Sequence, residues 1–212
     1  MKNGIIFDLD GTLWDSSQQV VDSWNEILKT YEKGKYQITL EDMQGAMGLA
    51  MTDIGRKLWP SLEEEKMIPL LQRCMEFENQ YLLTHPGTLY PGEEETLRNL
   101  SRHYSLFIVS NAQKGYIEAY LSSTGMGRYF QDHLSWGDTK EAKEKTMLLM
   151  KEKHHLSKAI YVGDTAMDEI ATRKAKLPFV HAAYGFGQAK SPDGAISSLS
   201  ELEEVAAILL PL

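Results

Sequence analysis

The sequence is poor in cysteine, in positive charge and in long apolar runs, and each shortage excludes a class of protein. The 212 residues include one cysteine, Cys74, so the chain cannot form an internal disulfide. Cys74 lies among leucine and methionine residues, and we interpret it as a core residue without a catalytic role. No run of about 18 apolar residues is present to span a bilayer. Residues 1–4 lead directly into the first apolar run, so we expect no signal peptide and a cytoplasmic location.

Acidic residues outnumber basic ones. The chain carries 30 Asp and Glu against 22 Lys and Arg, which gives a formal net charge of −8. A negative field of this size disfavours nucleic acid and anionic membranes as partners. The acidic clusters at 63–65, 93–95 and 201–204 are typical of the first turns of helices, where acids complement the dipole. With 42% apolar residues, the chain can bury a sizeable core.

The first apolar run, residues 4–7, ends at two carboxylates that are separated by one residue. The run shows no polar alternation, which is typical of a strand buried on both faces of a parallel sheet. Because ligands of such sheets bind beyond the carboxyl ends of the strands, Asp8 and Asp10 lie where a site is expected. Gly11 then lets the backbone turn. Carboxylates placed in this way suit a divalent cation and phosphate, although a simple polar turn would use the same residue types.

Residues 16–84 show helix patterns and no convincing strand. Apolar residues recur there at spacings of three and four, and Thr39 with Asp42 is typical of a helix start. About 70 residues are too many for a loop in a compact domain, and the proline and glycine cluster at 85–92 is typical of a boundary. We therefore predict a helical domain at 16–84, inserted into a core formed by residues 1–15 and 85–212.

Strand and helix patterns alternate after residue 90. This alternation predicts an α/β core, a doubly wound parallel sheet of the Rossmann-like type. The predicted strands are 105–109, 133–136, 159–162 and 179–182, and the predicted helices are 93–103, 116–123, 140–154 and one from residue 200.

Polar residues follow three of the predicted strands. Asp8 and Asp10 follow the first, Ser110 and Asn111 the second, and Asp164 a third, with Asp168 one helical turn later. A parallel sheet brings these ends together, which would place carboxylates for a hard cation beside hydroxyl and amide groups for phosphate. Alone, the last pair would be better explained as a helix cap with an unrelated surface acid.

In this order, the motifs resemble those of the haloacid dehalogenase superfamily. Residues 8–12 resemble its first motif, Ser110 its second and 163–168 its fourth, and the helical insertion lies where one subclass carries a mobile cap. Pro91-Gly92 and the residues after it resemble the phosphoglycolate phosphatase-like branch. The resemblance covers nearly the whole chain. It implies a phosphatase that uses Mg²⁺ and hydrolyses a small phosphorylated metabolite.

The third motif of the family, a lysine early in the helix before the fourth, is less clear here. Lys140, Lys143 and Lys145 all compete for this position, and no proline follows any of them. We favour Lys143, because it shares a helix face with Met147 and Met150 and can point inward. Lys140 shares part of that face and is the alternative.

The resemblance also implies a role for each matched residue. Asp8 would attack phosphorus to form an aspartyl-phosphate, and Asp10 would act as general acid and then as general base. Magnesium would be held by Asp8, the backbone carbonyl of Asp10 and Asp164. Ser110, the backbone amide of Asn111 and the lysine would bind the phosphoryl oxygens. Asp168 would be a supporting residue, and Thr12 would assist in binding phosphate near Asp8.

Two other functions are compatible with the same motifs. Sugar-phosphate mutases of the β-phosphoglucomutase type keep both aspartates, but their cap has an arginine shortly after a glycine, whereas residues 49–52 after Gly48 contain none. A non-catalytic binding protein on this fold would not need the intact acids. Substrate specificity should come from the cap region, where the candidate residues are Trp14, Met47, Gly48 and Met51. The sequence identifies neither the substrate nor the oligomeric state.

Overall fold

A computed structural model describes residues 3–49 and 51–211 of the chain. Within these ranges, six strands form one sheet in the order β5-β4-β1-β6-β7-β8, and all neighbouring strands are parallel. The strands of this sheet are β1 (Gly4–Phe7), β4 (Ser105–Ser110), β5 (Phe130–Ser135), β6 (Ala159–Gly163), β7 (Phe179–Ala182) and β8 (Gly194–Ile196). Two further strands, β2 (Trp14–Asp15) and β3 (Thr88–Leu89), form a short antiparallel ribbon.

Helices account for most of the remaining chain. They are α1 (Ser17–Leu28), α2 (Leu40–Gln44), α3 (Met51–Leu58), α4 (Glu64–Thr84), α5 (Glu93–Leu100), α6 (Tyr116–Thr124), α7 (Trp136–Thr139), α8 (Lys143–Lys153), α9 (Ala166–Lys174) and α10 (Leu202–Leu209). Short 3-10 turns occur at Tyr31–Lys33, Met126–Tyr129 and Leu199–Glu201. In the described part of the chain, none of these helices combines the length and the apolar character that crossing a membrane requires.

Strand β1 lies in the middle of the sheet, and helices cover both of its faces. Ile5 and Phe7 pack into one apolar cluster, to which α5, α6 and α10 contribute. Ile6 points to the opposite face, into a second cluster that includes Met147 of α8 and Ala171 of α9. The predicted doubly wound α/β fold is thus confirmed, and its central strand is the one that leads to Asp8.

The helical segment leaves and rejoins the sheet domain at the β2–β3 ribbon, where Trp14 pairs with Leu89. Between the two strands of this ribbon, the described residues form helices and no strand, as the helix patterns predict. Thr39 begins α2 with the expected reciprocal bonds to Asp42. Helix α4 packs against α6, and the side chain of Asn79 donates to the carbonyl of Lys114 at 2.8 Å.

Three local expectations differ from the structure. Strand β5 begins and ends earlier than predicted, because Ser135 caps α7 through reciprocal bonds with Asp138. Lys140 ends α7 in a left-handed conformation with φ of 54°, so α8 begins at Lys143 and not at 140. The edge strand β8 was not predicted, since three residues are too few for a recognisable pattern.

The start of α7 lies against the loop after β4, and Gly137 makes this approach possible. The amide of Gly137 donates to the carbonyl of Ala112 at 3.0 Å. A Cβ added at Gly137 would lie 1.9 Å from the backbone nitrogen of Lys114. The backbone on both sides would have to move to accept any side chain there.

We therefore predict that Gly137→Ala destabilises the protein by about 1–3 kcal/mol, the usual cost of overpacking. Urea unfolding measures this as a lower midpoint at an unchanged slope. Gly127→Ala is the matched control, because its added Cβ meets nothing closer than 3.5 Å. Equal midpoints for the two variants would contradict the close approach.

Candidate active site

Three carboxylates and one ammonium group meet at the carboxyl ends of β1 and β6. Lys143 Nζ lies 2.9 Å from Asp8 Oδ1 and 2.5 Å from Asp168 Oδ1. Oxygen atoms of Asp8, Asp164 and Asp168 all lie within 4.8 Å of one another. The four residues are buried, with exposed fractions between 0% for Asp164 and 7% for Lys143. We call Asp8, Lys143, Asp164 and Asp168 together the acidic cluster.

Local backbone geometry fixes the positions of these acids. The amide of Asp8 donates to the carbonyl of Val162 at 2.8 Å, which continues the β1–β6 pairing up to the site. Asp168 Oδ2 accepts from the backbone amide of Thr165 at 3.0 Å and from its hydroxyl at 2.6 Å, in the capping box of α9. Asp168 thus uses one oxygen to cap its own helix and the other to hold Lys143.

Asp164 differs from Asp168, because one of its oxygens is free. Its Oδ2 accepts from the backbone amide of Phe186 at 2.8 Å, whereas its Oδ1 is buried and lacks a hydrogen-bond partner among the described residues. The glycine-rich loop after β7 makes this contact possible, since a Cβ at Gly185 would lie 2.3 Å from the Asp164 side chain. A buried carboxylate oxygen without a partner is costly unless a ligand satisfies it.

The charges of the cluster do not balance. Burial raises the pKa of Asp8 well above its usual range, although Lys143 opposes this effect. Burial, reinforced by Asp168, also raises the pKa of Asp164 to about 7. For Lys143, burial alone would lower the pKa, but Asp168 and Asp8 outweigh it and raise the pKa. One ammonium group therefore leaves negative charge in excess, and the donor set of hard oxygens fits a divalent cation.

Asp10 lies beside this cluster in a different environment. Its Oδ1 accepts from the hydroxyl of Tyr116 at 2.7 Å, the hydroxyl of Ser16 at 2.9 Å and the indole of Trp14 at 2.9 Å. Burial raises the pKa of Asp10, although these three bonds each lower it. All three donors act on the same oxygen, which leaves Oδ2 for other contacts.

A cavity that is partly open to solvent lies beside these groups. Asp8, Asp10, Ser110, Asn111 and Lys143 line its polar end. The opposite wall is apolar and comes mostly from the segment between β2 and β3, with Val20, Met43, Met47, Gly48, Leu49, Met51 and Ile54.

Ser110 and Asn111 connect the two sides of this cavity. Ser110 Oγ accepts from the amide of Ala112 at 3.2 Å, so its own hydrogen is available to a ligand. The side chain of Asn111 donates to the carbonyl of Gly48 at 3.0 Å, across the cavity from β4. Gly48 lies between α2 and α3 and adopts a φ of 81°, a backbone conformation that favours glycine.

Two residues expected near the substrate do not line the cavity. Trp14 is fully buried below Asp10 and packs edge-on against Tyr116 and Tyr120. Thr12 is fully buried too, and its hydroxyl has no hydrogen-bond partner in the described part of the chain. Trp14 contacts Asp10 through its indole nitrogen and thereby acts on the site indirectly.

The competing lysines lie outside the cluster. Lys140 Nζ lies 4.0 Å from the centre of the Trp136 ring, and Lys145 pairs with Glu141 at 2.8 Å on the surface. Lys143 reaches the acids because it begins α8, whose buried face carries Met147 and Met150.

Sequence analysis missed several residues of the site. Tyr116 and Ser16 hold Asp10, and Glu78 of α4 lines the cavity together with Gln113. Glu78 has the appearance of any acid on a long helix, and Tyr116 that of an apolar residue near a helix start. They become apparent in the folded chain, where the helices between β2 and β3 lie close to the strand ends.

The fold and the site define an α/β enzyme with its acids at the carboxyl edge of a parallel sheet. The chain belongs to the haloacid dehalogenase-like hydrolases, whose family model matches residues 5–182. The expected family and the expected enzyme class, a hydrolase, are thus confirmed. Enzymes of this kind typically use a divalent metal, and the acidic cluster can bind one.

Relatives and solved structures agree with this assignment. A phosphoglycolate phosphatase of Vibrio parahaemolyticus is 30% identical over 96% of this chain and 96% of its own length. A haloacid dehalogenase-like hydrolase from Streptococcus pneumoniae has the same fold, with a TM-score of 0.81, 21% identity and coverage of 97% of both chains. A β-phosphoglucomutase from Clostridium difficile is also similar in fold, with a TM-score of 0.75, 18% identity and coverage of 97% of this chain and 96% of its own.

We predict that a divalent cation stabilises the protein through the acidic cluster. Adding MgCl₂ should raise the free energy of unfolding by about 2.7 kcal/mol at 100 times the dissociation constant, and excess chelator should reverse it. Burial raises the pKa of Asp164 to about 7, so protons compete with the cation below that pH. The increase in Tm should therefore grow between pH 6 and pH 8.

Asp164→Asn should abolish this increase, whereas Asp22→Asn, a change at an exposed acid on α1, should preserve it. The measurement is thermal unfolding with and without cation at both pH values. A cation effect that persists in Asp164→Asn would place the site elsewhere.

Proposed function

We propose that the protein is a Mg²⁺-dependent phosphatase that hydrolyses a small phosphorylated metabolite through an aspartyl-phosphate. The observation that carries the proposal is the juxtaposition of two different carboxyls at one cavity. Asp8 pairs with Lys143 at 2.9 Å, while Asp10 is held by three neutral donors and has a raised pKa. Membership of the hydrolase family and the phosphatase relatives support the reaction class.

Asp8 is the proposed nucleophile. Its oxygen attacks phosphorus to form a new P–O bond, while the bond from phosphorus to the leaving-group oxygen breaks. Lys143 stabilises the charge of the phosphoryl oxygens, and Asp168 keeps the ammonium in place. The hydroxyl of Ser110 and the backbone amide of Asn111 are further donors for these oxygens, and Thr12 supports the loop that carries Asp8.

Asp10 is the proposed general acid and base. A raised pKa lets its carboxyl deliver a proton to the departing oxygen. The resulting carboxylate then takes a proton from water, which attacks phosphorus and releases inorganic phosphate and Asp8. Tyr116, Ser16 and Trp14 fix one oxygen of Asp10, so the other carries the proton in both steps.

Asp8, Asp164 and the backbone carbonyl of Asp10 are the proposed ligands of Mg²⁺. The unpartnered buried oxygen of Asp164 and the excess of negative charge in the cluster support this assignment. When bound, the ion supplies positive charge that offsets the charge of the phosphoryl oxygens. Asp168 lies within the same cluster, but both of its oxygens already hold hydrogen bonds.

Residues 16–84 form the proposed cap, and residues 1–15 and 85–212 the proposed catalytic core. The position of Met47, Gly48 and Met51 on the cavity wall supports a role of the cap in specificity. Nothing comparable supports direct contact of Trp14 with substrate. The expected setting is the cytoplasm, without nucleic acid or membrane as partner.

A sugar-phosphate mutase of the β-phosphoglucomutase type is the nearest alternative. The similarity to the Clostridium difficile enzyme supports the shared fold alone, because the identity is 18%. The wall of the cavity near Gly48 offers methionine and leucine instead of the expected arginine. Hydrolysis therefore fits this chain better than transfer to a sugar, and a non-catalytic role would leave the paired acids without a function.

We predict that Asp8→Asn lowers phosphate release from the best ester by about 1,000-fold or more, because the amide is not a nucleophile. Asp22→Asn should retain full activity. A screen of phosphorylated metabolites with MgCl₂, read out as inorganic phosphate, identifies the ester. Full turnover by Asp8→Asn, or turnover that survives excess chelator, would refute the mechanism.

The three lysines allow a second test. Lys143→Ala should lower kcat/KM by about 100-fold or more, since it removes a charged donor from the phosphoryl oxygens. Lys140→Ala and Lys145→Ala should remain within about twofold of the wild type, because both side chains are exposed away from the cavity. If Lys143→Ala is fully active, the pairing with Asp8 has no catalytic role.

A further inference from the structure

Glu78 is a buried carboxyl in the cavity that the proposed mechanism does not use. It lies on α4 and is 3% exposed. Gln113 Nε2 donates to its Oε1 at 3.0 Å, and the indole nitrogen of Trp24 donates to its Oε2. Both donors are neutral, so they orient the carboxyl without cancelling a charge.

The cavity therefore holds more acids than it can balance. Its described lining contains three carboxyls, Asp8, Asp10 and Glu78, and a single cation, Lys143. Lys143 already pairs with Asp8 and Asp168. No arginine or second lysine lies along the described wall to receive a carboxylate of the substrate.

The part of the cavity beside Glu78 suits a different leaving group. Its apolar wall carries methionines, which adapt to varied shapes. Glu78 is the acceptor that this wall offers, because each carboxyl oxygen has a lone pair beyond the bond it already accepts. A hydroxyl or ammonium group on the substrate would satisfy it, whereas a carboxylate would be buried beside like charge.

We propose that Glu78 determines specificity: the cavity accepts phosphate esters whose leaving group carries a hydrogen-bond donor, hydroxyl or ammonium, and rejects those that carry a carboxylate. The proposal rests on the phosphatase function and narrows its substrate class. This specificity would distinguish the chain from the relatives that are named phosphoglycolate phosphatase, because the leaving group of phosphoglycolate carries a carboxylate. Burial raises the pKa of Glu78 to about 8 against the two donated bonds, and Asp10 adds to this effect, so the rejection of a carboxylate requires a pH above 8, where Glu78 is charged.

Four two-carbon esters test the proposal with size held nearly constant. They are 2-hydroxyethyl phosphate, O-phosphoethanolamine, ethyl phosphate and 2-phosphoglycolate, assayed with MgCl₂ at pH 8.5 for kcat/KM. The wild type should hydrolyse 2-phosphoglycolate about 100-fold less efficiently than 2-hydroxyethyl phosphate. Ethyl phosphate, which lacks the donor, should be about 10-fold less efficient. Comparing 2-hydroxyethyl phosphate with O-phosphoethanolamine shows whether the cavity prefers a hydroxyl or an ammonium group on the substrate.

Glu78→Gln is the decisive variant, because it keeps shape and removes charge. It should reduce the discrimination against 2-phosphoglycolate, measured as the ratio of its kcat/KM to that of 2-hydroxyethyl phosphate, to about 10-fold or less. Glu76→Gln, an exposed position on the same helix, should retain the wild-type pattern. Thermal unfolding of Glu78→Gln, compared with that of the wild type, shows whether the variant remains folded.

The outcomes separate this proposal from the function on which it rests. If the wild type hydrolyses 2-phosphoglycolate as well as 2-hydroxyethyl phosphate, the specificity proposal is wrong and the phosphatase stands. Equal discrimination by Glu78→Gln and wild type would assign the selectivity to other residues. If no ester, including p-nitrophenyl phosphate as a general probe, releases phosphate, both proposals fail.

Discussion

The ion pairs of Lys143 with Asp8 and Asp168 are the contacts on which the site depends. They join the end of β1 to α8, more than 130 residues later in the chain, and α8 to α9. A buried ion pair costs desolvation, and removing one partner leaves an unpaired buried charge. This arrangement is therefore costly to build and costly to break. The sheet supports it by holding β1 between β4 and β6, so that three strand ends converge on one point.

Much of this site could be predicted because each part is local in sequence. Asp8 and Asp10 follow an apolar strand directly, and Asp164 follows another, so chain position already gives their place in a parallel sheet. Lys143 required one further step, the face of its helix. The order of the strands in the sheet could not be predicted. The carboxyl ends of the strands could be predicted as the place where the acids meet, since all strands of the sheet are parallel.

The residues that escaped prediction act across the cavity. Tyr116 and Ser16 reach Asp10 from α6 and from the start of α1, and their hydroxyls lie 2.6 Å apart. Gln113 and Glu78 meet only because α4 packs on α6. Such contacts depend on how helices from distant parts of the chain pack together. The spacing of residues within one segment does not determine that packing. Trp14, predicted as a specificity residue of the cap region, is buried, and its indole donates to Asp10.

Charge balance connects the two ends of the cavity. A phosphoryl group brings negative charge to a cluster that is already negative, so the proposed reaction relies on Lys143 and on a divalent cation to offset it. Apart from Lys143, the described lining that includes Glu78 contains no cation, which means that it cannot offset further negative charge. Positive charge is thus concentrated where phosphorus reacts. The leaving group must therefore be neutral or carry a positive charge itself. Under the proposed function, the same shortage of cations both calls for a metal beside phosphorus and restricts the leaving group of the substrate.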